Sequence, residues 1–270
     1  MINKKALRPV EFPGLVRLGN RTGDGGYVVP LPLVASAHSM LSLGLAEEWT
    51  FDLDALMHNP RLRVLGVDHT IHPSRFLRYV LRGTIKSALY GMVGNRSKKQ
   101  QYQRLRDLGR AYFRLFTQPS EHIRKMVAKT DSATTISVTS LVNMVQPASA
   151  HSLVVKMDIE SSEYEVIDQI VECAQSISVL TGEFHDLVTH TNRFNDAMEK
   201  LLETFAIVHI HGNNYGAFCE ENNFPDTVEI TFVHRALLPE GAEVSSHTYP
   251  RPALDVPNKA GVPDYPLVFD

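Results

Sequence analysis

Cysteine is scarce: Cys173 and Cys219 are the only two in 270 residues, too few for a disulfide framework. No apolar run is long enough and free enough of charge to cross a bilayer, and no internal repeat or low-complexity tract is present. The sequence contains neither a GxGxxG turn nor a Walker lysine, which removes the usual cradles for a pyrophosphate or triphosphate. The opening residues, Met1 to Arg8, lack the apolar segment of a secretory signal, and with so little cysteine this predicts a reduced, cytoplasmic protein. What is present is the balance of a folded chain, 43% hydrophobic and 21% charged with a mean hydropathy of -0.13. The length fits one large domain, and we expect a single one over residues 1–270.

The net charge of -3 conceals an asymmetry. Residues 75 to 129 hold 14 of the 27 Lys and Arg but only Asp107 and Glu121 among the 30 acids, so this segment is +12 and the remainder -15. A block this basic in an acidic protein points to something anionic, such as lipid headgroups, a phosphorylated substrate or nucleic acid; the plainer reading is a solvated helical face.

Seven short β-rich runs are strand candidates: Met40 to Leu45, Val64 to Asp68, Thr134 to Val138, Leu153 to Ile159, Ile177 to Phe184, Ala206 to His211 and Val228 to His234. Between the fourth and fifth, Tyr164, Val166, Ile167, Ile170 and Val171 fall close to helical spacing, and Phe194, Ala197, Met198, Leu201 and Leu202 do so between the fifth and sixth. Alternating strands and helices predict an α/β fold with a mostly parallel sheet and helices on both faces. Gly212 to Thr227 has no helical period, so the last two strands should close an antiparallel hairpin at one edge. Five crossover strands plus a hairpin suggest the seven-stranded, Rossmann-like sheet of class I methyltransferases. A basic helical insertion is expected at about 72–130, and a proline-rich tail from about residue 249 should wrap the surface in extended form.

Within the insertion Arg75, Arg78, Arg82 and Lys86 recur every three or four residues, with Leu77, Val80, Leu81, Ile85, Ala88, Leu89 and Met92 largely opposite. Two readings follow: a helix docked on the sheet, or an interfacial helix in peripheral contact with anionic membrane through residues 75–93, on the inner face. Nucleic acid is the weaker partner, since Phe76, Tyr79, Tyr112 and Phe116 match no recognised module.

In open α/β sheets ligands gather at the carboxyl ends of the strands. There the first strand offers Gly44, Leu45 and Ala46, with Gly44 allowing a ligand to approach the backbone. Asp68, followed by His69, ends the second strand where an acid would accept the hydroxyls of an adenosine ribose. Lys156-Met157-Asp158-Ile159-Glu160 ends the fourth, with Asp158 and Glu160 on one face and in need of a ligand, a cation or a helix terminus as partner. Glu163 fits helix-dipole compensation. Near the N-terminus, the three glycines of Arg21 to Pro30 suit a tight turn before a short extended run.

Together the blocks GDGGYVVP (23–30), LSLGLAEEWTFD (41–52), VLGVDHT (64–70), ISVTSL (136–141), KMDIESSEYEVI (156–167), HIHGNNYG (209–216) and LDVPNKAGVPDYPLVF (254–269) resemble FkbM-like methyltransferases, in the family's order. The resemblance implies a Rossmann-like enzyme that moves the methyl group of S-adenosylmethionine, the implied cofactor, to a hydroxyl of a sugar, glycan or glycolipid. It places Gly44 near the cofactor's methionine part and Asp68 at its ribose, with Asp158 and Glu160 lining the transfer site. The sequence departs from the family at Glu47-Glu48, where a second glycine is usual, at Ser161, where a glycine follows the DIE motif, and at Leu141-Val142, which lacks the Asp of an LD pair.

Methyl transfer to oxygen needs alignment and removal of a proton. His185, after the fifth strand, is the first choice of base because histidine titrates near neutrality, and Asp158 is the alternative. His209 and His211 share one strand face, and a metal-assisted hydrolase using them with Asp158 and Glu160 is the competing enzyme; the leading reading needs no metal. A catalytically inactive module that binds through the basic insertion is the non-enzymatic alternative.

Overall fold

The computed structural model describes residues 1–270. A hairpin of β1 (Leu15–Gly19) and β2 (Gly26–Pro30) leads into α1 (Leu31–Ser36), β3 (Ser39–Leu43), α2 (Thr50–His58) and β4 (Arg63–Val67). Two long helices follow, α3 (Pro73–Met92) and α4 (Arg96–Leu115), then three short strands, β5 (Glu121–Ile123), β6 (Met126–Val127) and β7 (Thr135–Ile136). The remainder runs α5 (Val138–Val145), β8 (Leu153–Met157), α6 (Glu163–Glu172), β9 (Ile177–Phe184), α7 (Thr191–Thr204), β10 (Phe205–Gly212), the small pair β11 (Phe218–Cys219) and β12 (Phe224–Pro225), and β13 (Val228–His234).

Seven strands form one sheet in the order β10-β13-β9-β8-β3-β4-β5, parallel except for β13, which is antiparallel to both of its neighbours. This is the Rossmann-like, seven-stranded and mostly parallel sheet expected, with the closing antiparallel hairpin at one edge. One strand differs: the edge beside β4 is Glu121–Ile123, whereas the expected Thr134 to Val138 gives only the two residues of β7, paired with β6. The β-branched run is cut short because Ser137 caps α5, its side chain accepting a hydrogen bond from the Ser140 amide. The true edge strand, being paired on one side only, escapes the demand for apolar alternation.

On one face, α5, α6 and α7 bury Leu141, Val166, Ile170, Phe194 and Leu201 against Leu41, Leu43, Val155, Met157, Leu180, Ile230 and Phe232. The other face is covered by the β1–β2 hairpin, α1, α2 and the base of α3–α4, through Tyr27, Val29, Val34, Phe51, Phe76 and Tyr112. Its strand positions are apolar at first (Met40, Val64, Val154, Val179, Val233) and polar one step further along: Ser42, Lys156, Thr181, Thr231 and His209 are register partners in a buried row. The Thr181 and Thr231 hydroxyls are 2.8 Å apart, and Thr231 Oγ1 donates to the Val28 carbonyl at 2.7 Å.

Two expectations need correction here. The insertion's first helix meets the sheet side only at its base, through Phe76, and beyond that packs on α4: a Cβ on Gly83 would meet Arg106 Cβ at 2.6 Å, so only glycine permits this crossing. The tail is more than a surface wrap, because Asp255 and Asn258 are buried; Asp255 Oδ1 lies 2.8 Å from His209 Nε2, and Asn258 Nδ2 donates to Glu229 at 2.5 Å.

Candidate functional site

At the carboxyl ends of β3, β4 and β8 lies a cavity of about 450 Å³, within the range of ligand pockets. Gly44, Leu45, Ala46, Asp68, His69, Asp158 and Glu160 all line it, so the fold brings together most of the residues chosen from sequence. Asp24, Glu48, Thr70, Lys125 and Lys156 complete its polar wall.

The first-strand loop is held by Asp68. Its Oδ2 accepts from the Leu45 and Ala46 amides at 3.0 and 2.8 Å, and its Oδ1 from the Thr70 amide and hydroxyl, both at 2.6 Å. Burial works to raise this carboxyl, but the Thr70 hydroxyl and the Leu45 and Ala46 amides together bring it below its ordinary value. Four donors occupy the roughly four lone-pair sites of a carboxylate, so ribose hydroxyls arriving here must displace one of them. Gly44 also differs from expectation. At φ +79° it is left-handed, and a Cβ there would lie 1.6 Å from the Asp158 carbonyl oxygen. The missing side chain makes room for the end of β8 rather than for a ligand. Ser161, in the family's glycine position, adopts φ +69°, a costly conformation for a residue with a side chain.

Behind the cavity wall acids accumulate. Tyr27 donates to Asp158 Oδ2 at 3.2 Å. The ligand atoms of Asp158, Glu183 and His185 lie within 4.8 Å of one another, as do those of Asp24, Glu183 and Glu229. Burial, then Asp158 and Glu229, push the Glu183 carboxyl well above its usual range, and the Asn213 amide donates to it. His185 Nδ1 is 3.1 Å from Glu163 Oε1, and its Nε2 is 3.8 Å from both Glu160 and Glu183. Burial disfavours the imidazolium, but the Glu163 hydrogen bond and the charges of Glu183, Glu163 and Asp158 prevail and raise it to about 9. At neutral pH His185 therefore carries its proton and balances the acids, and a base role for it belongs to pH above about 9.

The proposed hydrolase quartet is not assembled. His211 has one nitrogen 3.1 Å from Glu229 and the other 2.9 Å from Asp264, while His209 is held by Asp255; neither joins Asp158 or Glu160 in a common cluster. Where a divalent cation could be held is instead Asp158, Glu183 and His185. Glu183 was missing from the sequence reading. A glutamate alternating with Thr181 along a strand otherwise composed for burial was the signal that could have found it.

No family model matches the chain, the FkbM-like one included, and no curated protein matches it. Among solved structures it is similar to the Methanococcus jannaschii fibrillarin pre-rRNA processing protein, at 11% identity over 74% of this chain and 68% of that one, TM-score 0.39. It is similar also to precorrin-6y C5,15-methyltransferase from Geobacter metallireducens GS-15, at 11% identity over 75% and 84% of the two chains, TM-score 0.36. A 23S rRNA methyltransferase, ErmE, aligns at 11% identity over 77% and 69%, TM-score 0.36. Likenesses of this extent say nothing about what this chain binds. No helix is long and apolar enough to cross a membrane.

Proposed function

We propose that the chain is an S-adenosylmethionine-dependent methyltransferase that methylates a hydroxyl of a sugar, glycan or glycolipid. The observation that carries the first half is the cavity at the strand ends, where Gly44 to Ala46, Asp68, Asp158 and Glu160 converge. The hydroxyl acceptor rests on the sequence motifs. The donor set suits the cofactor: Asp24, Glu48, Asp158 and Glu160 face a molecule whose sulfonium and amino groups are cationic. When bound, that molecule supplies an activated methyl group. The residues of the chain must then hold the acceptor in line and take its proton. Asp158 is the better placed for this at neutral pH, since it faces the cavity while His185 keeps its proton. Tyr27 orients the Asp158 carboxylate, and Lys156, with Nζ 3.0 Å from the Gly44 carbonyl, fixes the loop on the other side.

The deciding experiment is calorimetric titration with S-adenosylhomocysteine. Saturable binding that Asp68→Ala abolishes supports the proposal, and absence of heat at millimolar ligand overturns it. Loss of turnover with retained binding in Asp158→Asn supports Asp158 as the proton acceptor. Full turnover in that variant assigns the proton elsewhere.

A further inference from the structure

We propose that the outer side of the α3–α4 hairpin is a docking surface for an anionic lipid bilayer. The proposal rests on which residues α3 buries. Phe76, Gly83 and Ser87 are its buried positions, and Tyr79, Val80 and Tyr90 are half-buried on the same side against α4, so the opposite side of the helix faces outward. On that free side Leu77, Leu81, Ile85 and Leu89 follow one another at steps of four, 51%, 55%, 60% and 46% exposed, and Met92 and Val93 continue the row to the tip at 79% and 68%. Single exposed leucines are ordinary, but a row of six along a helix of about 30 Å is the mark of an interaction surface.

Charge identifies the occupant. Arg78, Arg82 and Lys86 each follow the row by one residue, and with Arg75 they line a groove of about 620 Å³ that also takes in Leu81 and Ile85. From 73 to 115 the hairpin holds eleven Lys and Arg against a single acid, Asp107. A second copy of the chain would bring eleven cations against eleven, and a nucleic acid would leave the leucine row uncovered. An anionic bilayer satisfies both features, with apolar side chains at the acyl boundary and cations among the headgroups, each cation near the surface adding about 1 kcal/mol. At the tip Tyr90 and Tyr102 stack at 5.5 Å with Lys98 over Tyr90, the aromatic and basic mixture that suits the headgroup level.

The base of the hairpin is fixed to the cavity. Arg75 pairs with Glu47 at 2.7 Å, Phe76 stacks on Tyr112 at 4.4 Å, and the Tyr112 hydroxyl lies 2.9 Å from His122, whose other nitrogen is 3.0 Å from the Asp68 carbonyl. A docked hairpin would therefore hold the cavity at a set attitude to the lipid surface.

Flotation of the full chain with vesicles tests this directly. Phosphatidylcholine vesicles should carry little protein, and vesicles with one quarter phosphatidylglycerol should carry most of it, with binding falling as salt rises above about 0.1 M. The double variants Leu81→Asp with Ile85→Asp and Arg78→Glu with Arg82→Glu should each weaken binding about tenfold or more, with thermal unfolding unchanged because these positions are exposed. Equal binding to neutral and anionic vesicles, no binding to either, or variants that float like the parent would overturn the proposal. So would sedimentation showing a dimer that the leucine variants dissociate, which assigns the row to a second copy.

Discussion

The two faces of the central sheet differ in what happens along each strand. Under α5, α6 and α7 the face is apolar from end to end, from Leu153 through Val155 to Met157 and from Ile177 through Leu180 to Phe184. The opposite face begins with Val154 and Val179, turns polar at Lys156 and Thr181, and reaches the acids Asp158 and Glu183. The same strands thus serve as core on one side and as scaffold for the candidate site on the other. Stability should concentrate in the first face and ligand chemistry in the second.

Substitutions can break that division or sharpen it. The largest effect is expected where backbone meets backbone at the strand ends, on neither face: Gly44→Ala forces the ends of β3 and β8 apart and should cost about 4 kcal/mol or more in denaturant unfolding. A stable Gly44→Ala protein with normal ligand binding would show that the strand ends are looser than described. On the apolar face Leu180→Ala should cost about 2–5 kcal/mol, while S-adenosylhomocysteine affinity of the folded fraction stays unchanged.

The faces should also separate by pH. His185 and His211 sit at about 9 and about 10 in the folded protein, above the ordinary histidine value of 6.5, with burial opposing and the Glu163 and Asp264 hydrogen bonds leading the rise. Their folded state binds more protons than the unfolded chain, so the stabilisation they contribute is complete below pH 6.5 and is lost as pH rises through about 9 and 10. The raised Glu183 carboxyl acts in the same direction. The melting temperature should fall across that window, less steeply in His185→Gln; a melting temperature that climbs between pH 6.5 and 9 would contradict the assignment. The smallest effect on stability is expected for Glu183→Gln, within about 1 kcal/mol, because burial, Asp158 and Glu229 already disfavour a charge at this position and the amide leaves an acceptor for Asn213. Its turnover should nevertheless fall. If stability dropped as far as in Leu180→Ala, the polar face would be structural after all.

How much of this was legible in the sequence follows from the range of each interaction. Strands β8, β9 and β13 and helices α6 and α7 carry their own periodicity, so their positions could be read locally. Asp158 and Glu160 were visible as acids closing an apolar run, and Asp68 as an acid ending a strand. The β5 edge was hidden because Glu-His-Ile has no strand pattern. The grouping of Asp24, Asp158, Glu183 and Glu229 depends on register across four separate elements, and the pairing of His209 and His211 with Asp255 and Asp264 depends on a tail that returns from 46 and 53 residues away. The exposure of the leucine row depended on α4, which covers the other side of α3.

The buried row of Ser42, Lys156, Thr181, Thr231 and His209 has a consequence for how the chain finds its fold. A sheet of Val, Leu and Ile alone would accept strands shifted by one residue at small cost, since every position would still meet an apolar neighbour. Here a one-residue slip of β8 would turn Lys156 and Asp158 into the packing of α5 and α6, where nothing can accept their charge. The polar residues act as a proofreading mark on strand alignment: misaligned sheets are too unstable to persist, and the alignment that survives is the one that assembles the cavity.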